Sequence, residues 1–119
     1  MGYVMDNGRY ADTQELVLDS AKSVSGASGN GTVTEVGDRG TARLTLDVTA
    51  LGAGTTLTVT VKTCETSDGT YRTVLAFTPN TATGTERLSF TGLDRFVKAD
   101  WALSAGTTTA TYSVTGEAV

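Results

Sequence analysis

The sequence predicts an all-β protein, a single antiparallel β-sandwich of jelly-roll or immunoglobulin-like type with about seven to eight strands. Three observations predict it. Apolar residues alternate with polar ones over most of the chain, and a period of two with one apolar face marks a half-buried strand. Turn signals rich in Gly, Asp and Asn recur roughly every 8–12 residues, the spacing of sandwiches and barrels. No stretch shows a 3.6-residue period of useful length, so helix is minor or absent.

The organising stretch is residues 42–74, ARLTLDVTALGAGTTLTVTVKTCETSDGTYRTV. Leu44, Leu46, Val48 and Ala50 fall on one face of a strand, with Arg43, Thr45, Asp47 and Thr49 on the other. After a Gly52–Gly54 turn the alternation resumes, Leu57, Val59 and Val61 against Thr58, Thr60 and Lys62. Asp68-Gly69 then signals a tight hairpin turn. In chain order, residues 1–13 read either as a frayed terminus or as an extended N-terminal arm that orders on a partner. Residues 14–119 form the sandwich. Residues 14–24 make a strand that buries Leu16, Leu18 and Val24 and turns Glu15, Asp19 and Lys22 to water. The Gly-rich segment 25–31 is a loop. It lacks the Lys-Ser/Thr and the following helix of a phosphate-cradling loop, and its Asn30-Gly31-Thr32 is read as a turn.

Residues 32–36 form a short strand, and Gly37-Asp38-Arg39-Gly40 turns the chain. Over residues 73–78 the parity is ambiguous, because Leu75 and Phe77 compete with Val74 and Ala76 for the core. Pro79 ends that strand, since proline cannot donate to a ladder. Residues 86–90 turn Leu88 and Phe90 inward. Residues 96–103 bury Val97, Ala99, Trp101 and Leu103, with Trp101 expected at the centre of the core. Residues 108–115 close the chain with Ala110, Tyr112 and Val114 inward.

A chain of 119 residues has room for one core. Nine basic against thirteen acidic residues give a formal charge of -4, which argues against direct nucleic-acid binding through clustered Lys and Arg. The single cysteine, Cys64, allows no internal disulfide. The N-terminal residues do not read as a signal peptide, and no apolar run approaches the roughly 18 residues of a membrane helix. Synthesis in a reducing cytoplasm is therefore expected.

The absence of histidine removes the usual general base and most zinc sites. Asp38, Asp68 and Asp94 sit in Gly-containing turns as expected Asx-turn formers, and no calcium-loop pattern appears. No enzyme, metal or cofactor is predicted. Binding or assembly remains, and the candidate partner-contacting residues are Tyr3, Met5, Arg9 and Tyr10 in the arm and Arg39 and Arg72 on the domain. Arginine and aromatic groups are enriched at interfaces.

The strings LTLDVTALGAGTTLTVTVKTCETSDGTYRTVLAFT and ERLSFTGLDRFVKADWALSAGTTTATYSVTGEA resemble small β-sandwich structural proteins of tailed bacteriophages, over roughly residues 42–118. The resemblance implies a virion role without catalysis. That role would be a head-decoration or minor capsid protein on the head surface, binding the major capsid protein and copies of itself, with a trimer a natural arrangement. A neck or tail ring adaptor is the alternative placement. The Ser67–Tyr71 segment also looks like a hairpin of discoidin-type and carbohydrate-binding sandwiches, which implies a sugar-binding host-attachment module with Tyr71 and Phe96 as stacking platforms.

Overall fold

The computed structural model describes residues 13–104 and 108–119. The arm residues Tyr3, Met5, Arg9 and Tyr10 lie outside the described residues. Within them run nine strands: β1 (Gln14–Ser25), β2 (Ser28–Gly29), β3 (Thr34–Glu35), β4 (Thr41–Leu51), β5 (Leu57–Cys64), β6 (Arg72–Ala76), β7 (Gly84–Thr91), β8 (Phe96–Leu103) and β9 (Thr109–Ala118). No helix occurs among the described residues.

All pairings are antiparallel, and they make two sheets, β1-β9-β4-β7 and β2-β8-β5-β6, with β3 also on β8. The pairs nest: β1 with β9, β2 and β3 with β8, β4 with β7, β5 with β6. Two further pairings, β4 with β9 and β5 with β8, join the nested pairs into sheets. A long hairpin rolled up on itself produces this order. It is a jelly roll, with β2 and β3 acting as one interrupted strand.

The alternation read from the sequence builds the space between the sheets. Leu44, Leu46 and Val48 from β4 and Leu57, Val59 and Val61 from β5 are buried, as are Val97, Ala99 and Leu103 from β8 and Ala110, Tyr112 and Val114 from β9. Each fully buried Leu or Val contributes about 1.5–3 kcal/mol, against about 0–1 kcal/mol for an exposed ion pair. Packing therefore decides stability.

Four sequence expectations need correction. Ala50 is exposed, because an extra residue between Val48 and Ala50 shifts the β4–β9 register and reverses the parity. Asp19 does not face water. Two register shifts, at Val17/Asp19 and Asp19/Lys22, turn it inward beside Leu18, and Ala21, within the second, takes a left-handed φ of 47°. Trp101 is buried but is not the centre of the core. Its indole lies under Gly29, while Tyr112 and Phe77 are the largest fully enclosed side chains. The Asp68-Gly69 signal makes no two-residue turn either, because β5 and β6 are joined by a loop spanning 65–71.

The ambiguity over residues 73–78 has a similar cause. A bulge between Val61 and Lys62 in the β5–β6 pair leaves Val74 and Leu75 both partly buried. Phe77 enters the core beyond the strand end, its N–H donating to the Val59 carbonyl at 3.1 Å. Leu88 and Phe90 face inward on edge strand β7 and are only partly covered.

Gly116 sits in β9 between β1 and β4, and a Cβ there would collide with the Arg43 carbonyl oxygen. Gly84, at the start of β7, faces open space with an ordinary φ. Gly116→Ala is expected to cost about 2–4 kcal/mol, or roughly 10 °C or more in Tm. Gly84→Ala should stay within about 1 kcal/mol of the parent. Thermal denaturation of the two variants checks the placement of β9.

Candidate functional site

The chain contains three lysines, Lys22, Lys62 and Lys98, and the fold brings all three to one place. The place is around β2 and the residues just after it, which Lys62 and Lys98 reach from the outer face of the β8–β5 sheet and Lys22 from β1 of the other sheet. Side chains at alternate positions of β5 and β8 point outward there, so Thr58, Thr60 and Lys62 lie beside Ala102, Asp100 and Lys98.

Asp100 is the hub. Its Oδ2 pairs with Lys62 Nζ at 3.2 Å and Lys98 Nζ at 3.4 Å, and its Oδ1 accepts the Gly31 N–H at 3.2 Å. Asn30 is held from two sides. Lys98 Nζ donates to its Oδ1 at 3.0 Å, and Lys22 Nζ donates to its carbonyl at 3.1 Å. Lys98 also sits 4.7 Å above the Tyr71 ring, a cation–π contact. The close approach of this segment depends on two glycines. A Cβ on Gly29 would fall 2.6 Å from the Trp101 ring, and one on Gly31 would collide with the Ala99 carbonyl. The result is a groove of about 390 Å³ between that segment and the sheet, lined mainly by polar groups with Ala102 among them.

The predicted Arg39 and Arg72 lie on either side of another loop, the one joining β7 and β8. Arg72 donates to the Gly92 carbonyl at 2.6 Å and to Asp94 at 3.3 Å. The turn carrying Arg39 meets the same loop through Gly92 N–H on the Gly40 carbonyl at 3.0 Å, and Arg39 itself donates to the Val36 carbonyl at 3.2 Å. Arg72 thus ties β6 to that loop, while this Arg39 hydrogen bond stays within its own turn. The proposed stacking platforms are covered in part by cations. Lys98 lies over Tyr71, whose hydroxyl donates to the Ser67 carbonyl at 2.9 Å, and Arg95 lies 5.7 Å from the Phe96 ring centre.

Behind the groove, the bulge in β1 buries a second charged group. Asp19 is 6% exposed and pairs with Lys22 at 3.6 Å. The Tyr112 hydroxyl lies close to this carboxylate without closing a hydrogen bond of standard length. Burial pushes the Asp19 carboxyl above its ordinary value, and Lys22 offsets part of that rise. Burial, with the Asp19 charge adding to it, also pushes Tyr112 well above its usual value. Among the described residues no group of three or more Cys, Asp or Glu is placed to hold a metal ion.

Sequence reasoning missed the lysine convergence. The three residues are far apart in the chain, and only the nesting of strands brings them together. Comparison with protein-family models finds no match, and comparison with curated proteins finds none either.

The raised Asp19 carboxyl sets a sign for pH dependence. A carboxyl that binds its proton more tightly when folded favours folding most below its unfolded pKa, and that contribution is lost as pH rises through the folded value. Asp19→Asn removes the penalty. Its Tm is expected to gain on the parent as pH is raised from roughly 4 to 7, while Lys22→Met, which leaves the carboxylate buried without its partner, should cost about 1–3 kcal/mol at neutral pH. Melting curves of parent and variants across that range check both. A difference between Asp19→Asn and parent that is flat with pH would contradict the assignment.

Proposed function

We propose that this chain is a non-enzymatic structural protein of a tailed-phage virion, a decoration or minor capsid protein that binds and stabilises the head shell. One observation supports the reading above others. The residues that carry the phage resemblance, 42–118, supply β5 to β9 and nearly all of β4 in a jelly roll, an architecture that recurs in viral capsid and lectin domains. Fold alone does not fix function, so the reading rests on fold and resemblance together.

The use of charge agrees with it. Arg72 with Asp94, Arg95 with Glu35 and Glu86 with Thr78 tie loops and edges to one another. Such ties suit a stiff body that presents a surface. The partners under this proposal are the major capsid protein and further copies of this chain, arranged as a trimer on local threefold positions. Residues 1–13, with Tyr3, Met5, Arg9 and Tyr10, are the proposed docking arm. Repeated weak contacts of that kind stabilise a shell by mass action.

Quantitative mass spectrometry of purified particles tests the proposal. Hundreds of copies per particle are expected, and a copy number matching a single neck or tail ring would overturn the head placement. Removing residues 1–13 should abolish capsid binding while moving the Tm of the isolated protein by less than about 2 °C. A large loss of stability would assign those residues to the folded domain.

A further inference from the structure

We infer that the groove between the Ser28–Asn30 segment and the β8–β5 sheet binds a carboxylate-bearing sugar, of the uronic or sialic acid class. The inference stands apart from the virion proposal and does not depend on where the protein resides.

Charge carries the first step. A chain with a formal charge of -4 places all three of its lysines around one groove. Asp100 in the lining is paired by Lys62, also in the lining, and by Lys98 just outside it, so this cluster carries a single net positive charge. The two ammonium groups are not equivalent. Lys98 is 14% exposed and already engages Asp100, Asn30 and the Tyr71 ring. Lys62 is 33% exposed, and among the described residues its only ion pair is with Asp100. An ammonium carries three donors, so Lys62 has donors left for an incoming anion. One net positive charge matches a carboxylate better than a doubly charged phosphate.

The remaining lining narrows the class. Ser28, Asn30, Thr58 and Thr60 bring hydroxyl and amide groups, which both donate and accept. Ala102 adds a small apolar patch. Neutral polar groups around an apolar patch and one cation suit a pyranose ring with its hydroxyls and a single acid group. The volume, about 390 Å³, falls in the range of small-ligand sites. The wall is also pre-formed. Gly29 and Gly31 press the segment onto the sheet, and Lys22, Lys98 and Asp100 hold it there, so little ordering is left for the ligand to impose.

The test is an NMR titration of the full chain at low ionic strength with glucuronic acid, N-acetylneuraminic acid, glucose and inorganic phosphate. Saturable shifts are expected at the amides of Asn30, Gly31, Thr60, Lys62 and Ala102 with either acidic sugar. Glucose and phosphate should bind at least tenfold more weakly. Lys62→Met should weaken acidic-sugar binding about tenfold or more, with the spectrum otherwise that of the folded parent, because Asp100 keeps Lys98 as its partner. Thr60→Val, which touches no ion pair, should also weaken it. Arg87→Met, on the outer face of the other sheet, should not. No saturable binding of either acidic sugar, equal binding of glucose, equal binding of phosphate, or an unchanged affinity in Lys62→Met would each overturn the inference.

Discussion

The structure depends on closure by the last strand. β9 pairs with β1 on one side and with β4 on the other, and β8 does the same for β2, β3 and β5. Neither sheet has a centre until the C-terminal quarter of the chain has docked between strands made long before it. Only β5 and β6 pair as neighbours across a short loop. Such non-local pairing bears its loop-closure entropy before it is rewarded, which places a jelly roll among the slow-folding topologies. It also makes the middle of β9 intolerant of bulk, since the strand is flanked on both sides. Gly116 is where that crowding is greatest.

Period-two patterning was legible in the strands that carry no extra residue themselves. In β5, β8 and β9 every residue assigned to the core is buried, and in β4 the assignment holds as far as Val48. It failed at bulges. Ala50 and Asp19 each lie just beyond an extra residue, and one extra residue reverses every side chain after it. The bulge in β1 carries no local mark: its left-handed residue is Ala21, where a glycine would have been the usual signal. A bulge exists because of the strand opposite, so its position is a property of the pair. Trp101 failed differently. Its size pointed to the middle of the core, but its indole lies against Gly29 of β2, a two-residue strand with no pattern to read.

Charge has two uses in this molecule, and magnitude separates them. The Arg95–Glu35 pair is about half exposed on both sides, and such pairs contribute about 0–1 kcal/mol. Their effect is to orient loops, while packing between the sheets supplies stability. Asp19 is different. Its side chain is 3% exposed, and a buried carboxylate costs stability unless its partner is well placed. At 3.6 Å, with Tyr112 close by but not hydrogen-bonded, the Lys22 pair compensates only in part. The bulge in β1 therefore places a destabilising group directly behind the segment that walls the groove.

That arrangement bears on why the segment is there. One account is purely structural: Ser28–Asn30 covers Trp101, and the lysines clamp it down. The account explains Gly29, Gly31, Lys22 and Lys98, each of which touches the segment or lets it approach. It does not explain Lys62. That residue reaches the groove from β5, pairs with Asp100 and not with the segment, and stays a third exposed. A clamp already held by Lys98 gains little from a second ammonium on the same carboxylate oxygen, because the two like charges repel one another. A threonine at that position, in keeping with Thr58 and Thr60 before it, would continue the polar face without that repulsion. The second ammonium adds little to the clamp, and under the acidic-sugar inference its use is to meet the carboxylate of the ligand.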